Sequence, residues 1–143
     1  MNTQIKIDSK EVEAMFKRVN KQFSRDIVKA LDVTSQKGIE MILNRTAKGR
    51  GYQTRFPSYN PQYAKFRQKK GRQSKFVDLN FTGKMTSAIR RKMDKPRLTA
   101  EIGFTRAAEA TKAFYTNKKR PWFGFSDREQ NFLKRFFYGR LIK

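Results

Sequence analysis

The chain has 143 residues, 37% hydrophobic and 13% aromatic, with 13 phenylalanines, which is the size of one domain spanning 1–143 and too short for two well-buried cores. Cysteine and histidine are absent, so disulfides, Cys/His metal sites, cysteine nucleophiles and a Ser-His-Asp triad are excluded. With 34 Lys and Arg against 12 Asp and Glu, the formal net charge is +22; a compact chain this basic repels itself, and a negative environment is expected, whether nucleic acid, an anionic protein surface or anionic lipid.

No stretch approaches the roughly 20 apolar residues that cross a bilayer. Met1-Asn2-Thr3-Gln4 has no basic run followed by an apolar one, so neither a signal peptide nor a membrane partner is expected. Ile5-Lys6-Ile7-Asp8 alternates and reads as a short strand. Asp8 or Ser9 then caps a helix, with Glu11 and Glu13 in its first turn favouring the positive end of the helix dipole. Val12, Met15, Phe16, Val19, Phe23, Ile27 and Leu31 follow at spacings of three and four, a helical stripe that continues less regularly through Ile39, Ile42 and Leu43. Ser9 to Asn44 therefore reads as one long helix, or two joined near 20–24 or 34–38.

Composition changes after Leu43. From Met41 to Val77 there is no acidic residue. Arg45, Lys48, Arg50, Arg55, Lys65, Arg67, Lys69, Lys70, Arg72 and Lys75 fall here, interleaved with Tyr52, Phe56, Tyr59, Tyr63 and Phe66 and broken by Gly49, Gly51, Pro57, Pro61 and Gly71. The pattern predicts a long basic loop or arm, about 45–75, within which Pro61 to Lys70 can form a short helix. Loops of this length in a compact domain are functional or disordered. The arm is expected to be mobile alone and ordered by a partner.

The second half reads as α+β. Val77, Leu79 and Phe81 alternate with Asp78 and Asn80, the pattern of a half-buried strand. Thr82-Gly83 opens a short helix carrying Met85, Ala88 and Ile89, and Asp94-Lys95-Pro96 is a turn. Leu98, Ala100, Ile102 and Phe104 alternate with polar or small residues as a strand, and Arg90 to Met93 can pair with it as a hairpin. Ala107 to Tyr115 is an alanine-rich helix. Ser126-Asp127-Arg128-Glu129 matches a capping box, and Phe132, Leu133, Phe136 and Phe137 behind it are expected to form a buried helical face.

Catalysis is poorly supplied. The acids are scattered; Asp78 and Asp94 flank a helix without forming a dyad, and Glu109 reads as a surface charge. Gly49-Arg50-Gly51 is a flexible basic turn and no phosphate-binding glycine loop exists. No enzyme, cofactor or metal is expected. The basic arm carries the physical signal: cations neutralise phosphates and aromatic rings stack on bases or anchor a partner. Charge alone does not separate DNA contact from docking on an acidic protein. No helix-turn-helix, zinc finger or RNP-type motif indicates sequence-specific reading.

Leu79-Asn80-Phe81-Thr82-Gly83-Lys84-Met85-Thr86-Ser87-Ala88-Ile89 resembles the "L-x-x-T-G-x-(L/M)-x-x-S-I" run of tailed-phage virion morphogenesis proteins, also called tail completion or neck proteins. Ala88 stands where that family usually has Ser, with Ser87 one place earlier. Ile102-Gly103-Phe104 resembles its "I-G-(T/S)" strand end. Arg120-Pro121-Trp122-Phe123-Gly124-Phe125-Ser126-Asp127 is similar to its "R-P-F-L-G-L-S-x-x-D" segment, with Trp122 for Phe and Asp127 directly after Ser126. Tyr59-Asn60-Pro61-Gln62-Tyr63-Ala64-Lys65 resembles "Y-(S/N)-x-x-Y-A-x-x-K". The pieces keep their order from about Tyr59 to Phe137.

The resemblance implies an α+β fold with a small sheet packed by helices; the residues add a long N-terminal helix (or two), a hairpin that makes the sheet antiparallel, short helices, the long basic loop and a C-terminal helix. It implies a homo-oligomeric ring at the head–tail junction of the virion, assembled in the host cytoplasm, with double-stranded DNA passing through its lumen. The implied neighbours are portal or adaptor, head-closure, and tail terminator or tube proteins. A nonspecific nucleic-acid-binding protein is the second expectation. A small basic nuclease or toxin is disfavoured by the lack of His and the sparse acids.

Overall fold

The computed structural model describes residues 9–80 and 82–141. The expected strand at Ile5 to Asp8 lies outside them. Ser9–Ala47 is a single helix, α1, about 58 Å long at the usual rise per residue. It is unbroken at both places where a joint was conceivable. Gly38 sits inside it because α1 is approached there by other chain: a Cβ at Gly38 would lie 2.9 Å from the Phe125 ring.

A loop then leads into α2 (Pro61–Lys69), where the sequence allows a short helix. Pro61 starts it without losing a needed donor, and the Asn60 side chain accepts from the Gln62 backbone N–H. Next come α3 (Lys84–Ser87), β1 (Ile89–Asp94), β2 (Thr99–Phe104), α4 (Ala107–Lys119) and α5 (Asp127–Leu141). The strands form an antiparallel hairpin, Ile89 opposite Phe104 and Asp94 opposite Thr99, joined across the turn expected at Asp94 to Pro96. Its inner face lies on α1, and α5 packs along α1 beside it. The fold is α+β.

Ile39, Ile42, Ile89, Ala113 and Trp122 form the core, with Leu43, Phe56, Leu79, Met85, Ile102, Phe104, Phe123 and Phe125 packed around them. Trp122 is fully buried. Its ring centroid stands 5.5 Å from that of Phe123 and 6.2 Å from that of Phe104. The Asn117 carboxamide oxygen fixes this turn by accepting from the backbone N–H groups of Trp122 and Phe123, both at 2.9 Å.

Three expectations change. The segment 77–80 is not a strand: Leu79 has φ +56°, a left-handed conformation that interrupts an extended ladder. Val77 and Leu79 still turn inward, so their alternation reports burial rather than pairing. The short helix also stops earlier, since Ile89 starts β1. The third change is in α5: none of its residues is fully buried. Phe132 is exposed, and Leu133, Phe136 and Phe137 are only partly covered, because α1 covers one side of α5 and leaves the other open.

Candidate functional site

The basic segment wraps the molecule and is held down at several points. Arg50 pairs with Arg55 in an isolated β-bridge. Phe56 donates its backbone N–H to Gly49 O at 3.0 Å, which turns the chain back onto α1. Gly51 lies so near Pro121 that an added Cβ would sit 1.9 Å from the Pro121 carbonyl oxygen; only glycine permits that approach. The part of the arm expected to be free and mobile is thus packed against the segment 121–124.

Two of the ten predicted contact cations are internal. Arg45, in the last turn of α1, donates through Nη1 to Glu129 Oε1 at 3.2 Å and through Nη2 to Trp122 O at 2.9 Å and to Gly124 O. Its guanidinium lies 5.9 Å from the ring centroids of both Tyr52 and Phe125. Burial lowers its pKa, and the Glu129 charge opposes that. Glu129 also closes the capping box: its Oε2 accepts from Ser126 N at 3.0 Å while Ser126 Oγ accepts from Glu129 N at 3.2 Å. One carboxylate therefore caps α5 and clamps it to α1.

Arg67 is only 2% exposed. Its Nε donates to Gln73 O at 2.8 Å, and its Nη2 to Asp78 Oδ1 at 3.2 Å and Asn80 O at 3.1 Å. The Tyr59 ring lies 4.7 Å below the guanidinium, and the Tyr59 hydroxyl donates to the same Asp78 oxygen at 3.3 Å. Burial raises the Tyr59 pKa. Arg67 and Asp78 together pin α2 to the chain that follows it. The spacing carried a signal for this: Tyr63 and Arg67, four apart on a helix, share a face.

The other predicted cations, Lys48, Arg50, Arg55, Lys65, Lys69, Lys70, Arg72 and Lys75, are exposed. Lys65, Lys69 and Lys70 share the short helix or its end, and Lys48, Arg50 and Arg55 cluster on the bridged turn. The structure does not gather all eight on one face of one element. A further cation ties β1 to α1: Arg91 donates through Nε to Asp32 Oδ1 at 2.6 Å, and that hydrogen bond lowers the Asp32 pKa.

Between α2, the 79–85 turn and α4 lies an open cavity of about 570 Å³ lined in part by Tyr59, Tyr63, Arg67, Met85, Glu109 and Arg120. Gly83, at φ +77°, makes the turn at its edge, a conformation that a side chain would strain. Glu109 is not the surface charge its alanine-rich surroundings suggest. It is 5% exposed, because it shares a helix face with buried Ala113, one turn further along. Lys112 Nζ lies 3.5 Å from Glu109 Oε1, while Glu109 Oε2 and Arg120 Nε are buried with no hydrogen-bond partner.

Among the described residues no helix is long and apolar enough to cross a membrane. No protein-family profile, curated protein or solved structure matches the chain.

Proposed function

We propose that the chain is a structural, non-enzymatic component of a tailed-phage neck, part of a ring at the head–tail junction of the virion. The observation that carries this reading is an uncovered apolar stripe on α1. Met15, Val19 and Phe23, at successive spacings of four, are 51%, 57% and 56% exposed. Contiguous exposed apolar side chains mark protein–protein contact. The C-terminal end of α5, Leu141, lies beside Ala30 and Val33 of α1, so it leaves the earlier turns of α1 available to a neighbouring subunit.

The ordered motif resemblance from Tyr59 to Phe137 supports the same reading. In this chain its residues build the fold: Gly83 makes a turn, Trp122 fills the core, Ser126 and Glu129 cap α5. The exposed lysines of the arm then serve to dock on an acidic neighbouring ring or to line a DNA passage.

The test replaces Lys65, Lys69, Lys70 and Lys75 together with Gln, leaving the internal Arg45 and Arg67 untouched. Supplied in trans to a phage lacking the gene, this variant should fold yet yield DNA-filled heads and separate tails. Normal joining by the variant removes the arm from docking, and normal joining without any of the protein ends the neck reading. The second reading, a nonspecific nucleic-acid binder, accounts for the +22 charge equally well. It requires instead that the same variant lose duplex affinity with a flatter salt dependence, about one counterion per lost phosphate contact.

A further inference from the structure

We infer that the outer edge of β1 takes, as a third strand, the segment Ile5-Lys6-Ile7-Asp8 of a second copy of this chain. The hairpin's bonding pattern sets which groups that edge presents. Thr105 donates its backbone N–H to Ala88 O at 2.9 Å, so in this antiparallel ladder the bonds to β2 recur at Arg90, Lys92 and Asp94. The backbone N–H and C=O groups of Ile89, Arg91 and Met93 therefore point away from β2. Among the described residues no strand pairs with that edge; Ile89 O accepts instead from Nη1 of the exposed Arg90 at 2.7 Å. The same three residues line a groove of about 530 Å³ between β1 and α1, whose other wall includes Ile39 and Leu43. Leu43 and Met93 are only half-buried, which leaves apolar surface for side chains entering from outside. An unpaired edge beside such a groove is the setting of strand addition, with main-chain bonds to the edge and alternate side chains in the groove.

The chain itself supplies a fitting strand. Residues 1–8 lie outside the described residues, but in sequence Ile5 and Ile7 alternate with Lys6 and Asp8. On an added strand both isoleucines share the groove face, and Lys6 and Asp8 share the solvent face with Arg90 and Lys92. The segment cannot reach the groove of its own chain. It joins α1 at Ser9, and Asp32, the groove residue of α1 nearest to Ser9, lies about 34 Å further along the helix axis. Ile5 extends no more than about 14 Å from Ser9. A neighbouring copy has no such limit. The contact requires only that copies associate, in a phage neck or elsewhere, so its failure would leave the neck reading standing.

The chain has no cysteine, so single cysteines report unambiguously. Full-length Lys6→Cys and Lys92→Cys proteins are mixed at about 500 mM salt, where repulsion between copies is screened, and treated with bismaleimidoethane. A product of twice the monomer mass that joins the two variants is expected, and it should be lost when Lys134→Cys on α5 replaces Lys92→Cys or when Ile5→Asp and Ile7→Asp are added to the Lys6→Cys chain. Amide hydrogen exchange on the wild-type protein reads the pairing without any variant: the Arg91 and Met93 amides should slow roughly tenfold between dilute and associated protein. No joined product, or an equal yield with Lys134→Cys, overturns the proposal. So does a link formed within one chain by the Lys6→Cys, Lys92→Cys double variant at high dilution, which would place the segment on its own groove. Unchanged exchange at Arg91 and Met93 on association, or slowing only when a different protein is added, overturns it as well.

Discussion

Ten arginines and lysines crowd 45–75, yet their roles are set by where each Cα lands. Arg67 holds three backbone or carboxylate oxygens and a tyrosine face while almost wholly buried, whereas Lys65, two residues away, is exposed. Arg67→Gln should lower stability by about 3 kcal/mol, because removing one partner of a buried pair strands the other and leaves the carbonyls of Gln73 and Asn80 without their donor. Lys65→Gln should stay within about 0.5 kcal/mol of wild type. Urea unfolding midpoints measure both. Equal midpoints for the two variants would show that Arg67 is not the pin of α2. Charge counting alone does not expose this difference, since both residues are cations in one acid-free run; the helical spacing of Tyr63 and Arg67 is what sets them apart.

Among the elements, those with an uninterrupted local period were legible. The alternation from Ala100 to Phe104 became β2, which starts at Thr99 and leaves Leu98, at φ +51°, in the turn; the stripe along Ser9 to Asn44 became α1, and the Ser126–Glu129 spacing became a capping box with both reciprocal bonds made. The segment 77–80 alternates too, but the left-handed Leu79 decides otherwise, and its conformation depends on tertiary contacts that no local pattern encodes. The cavity shows the same limit. Glu109 and Lys112 lie on α4, but the wall opposite them comes from α2 and from Leu79, Gly83 and Met85, brought there by the fold. Burial of α5 is the case where a correct face gave the wrong depth. Its aromatics pack on α1 from one side only, so Phe136→Ala should cost about 1–2 kcal/mol, below the roughly 3–5 kcal/mol of a fully buried phenylalanine. Thermal melting checks this against Trp122→Ala, which should fall in that higher range. A Phe136→Ala loss as large as that of Trp122→Ala would mean that α5 is covered on both sides.

At the scale of the whole molecule, two opposed terms govern association. The net charge of +22 pushes copies apart, and the exposed Met15, Val19 and Phe23 stripe draws them together. They respond differently to salt. The Debye length falls from roughly 14 Å at about 50 mM to roughly 4 Å at about 500 mM, which weakens repulsion between exposed charges. Apolar burial is not weakened by this screening. The chain alone should therefore be monomeric at low salt and associate as salt rises. Val19→Asp together with Phe23→Asp should abolish the salt-induced association without lowering the melting temperature, because both side chains are exposed before assembly. Sedimentation velocity on nuclease-treated protein decides it. Bridging by nucleic acid would give the opposite sign, with larger species at low salt that dissolve as counterions compete for phosphate. Association that falls with salt in nuclease-treated protein, or that persists in the double variant, would remove the α1 stripe as the contact between subunits.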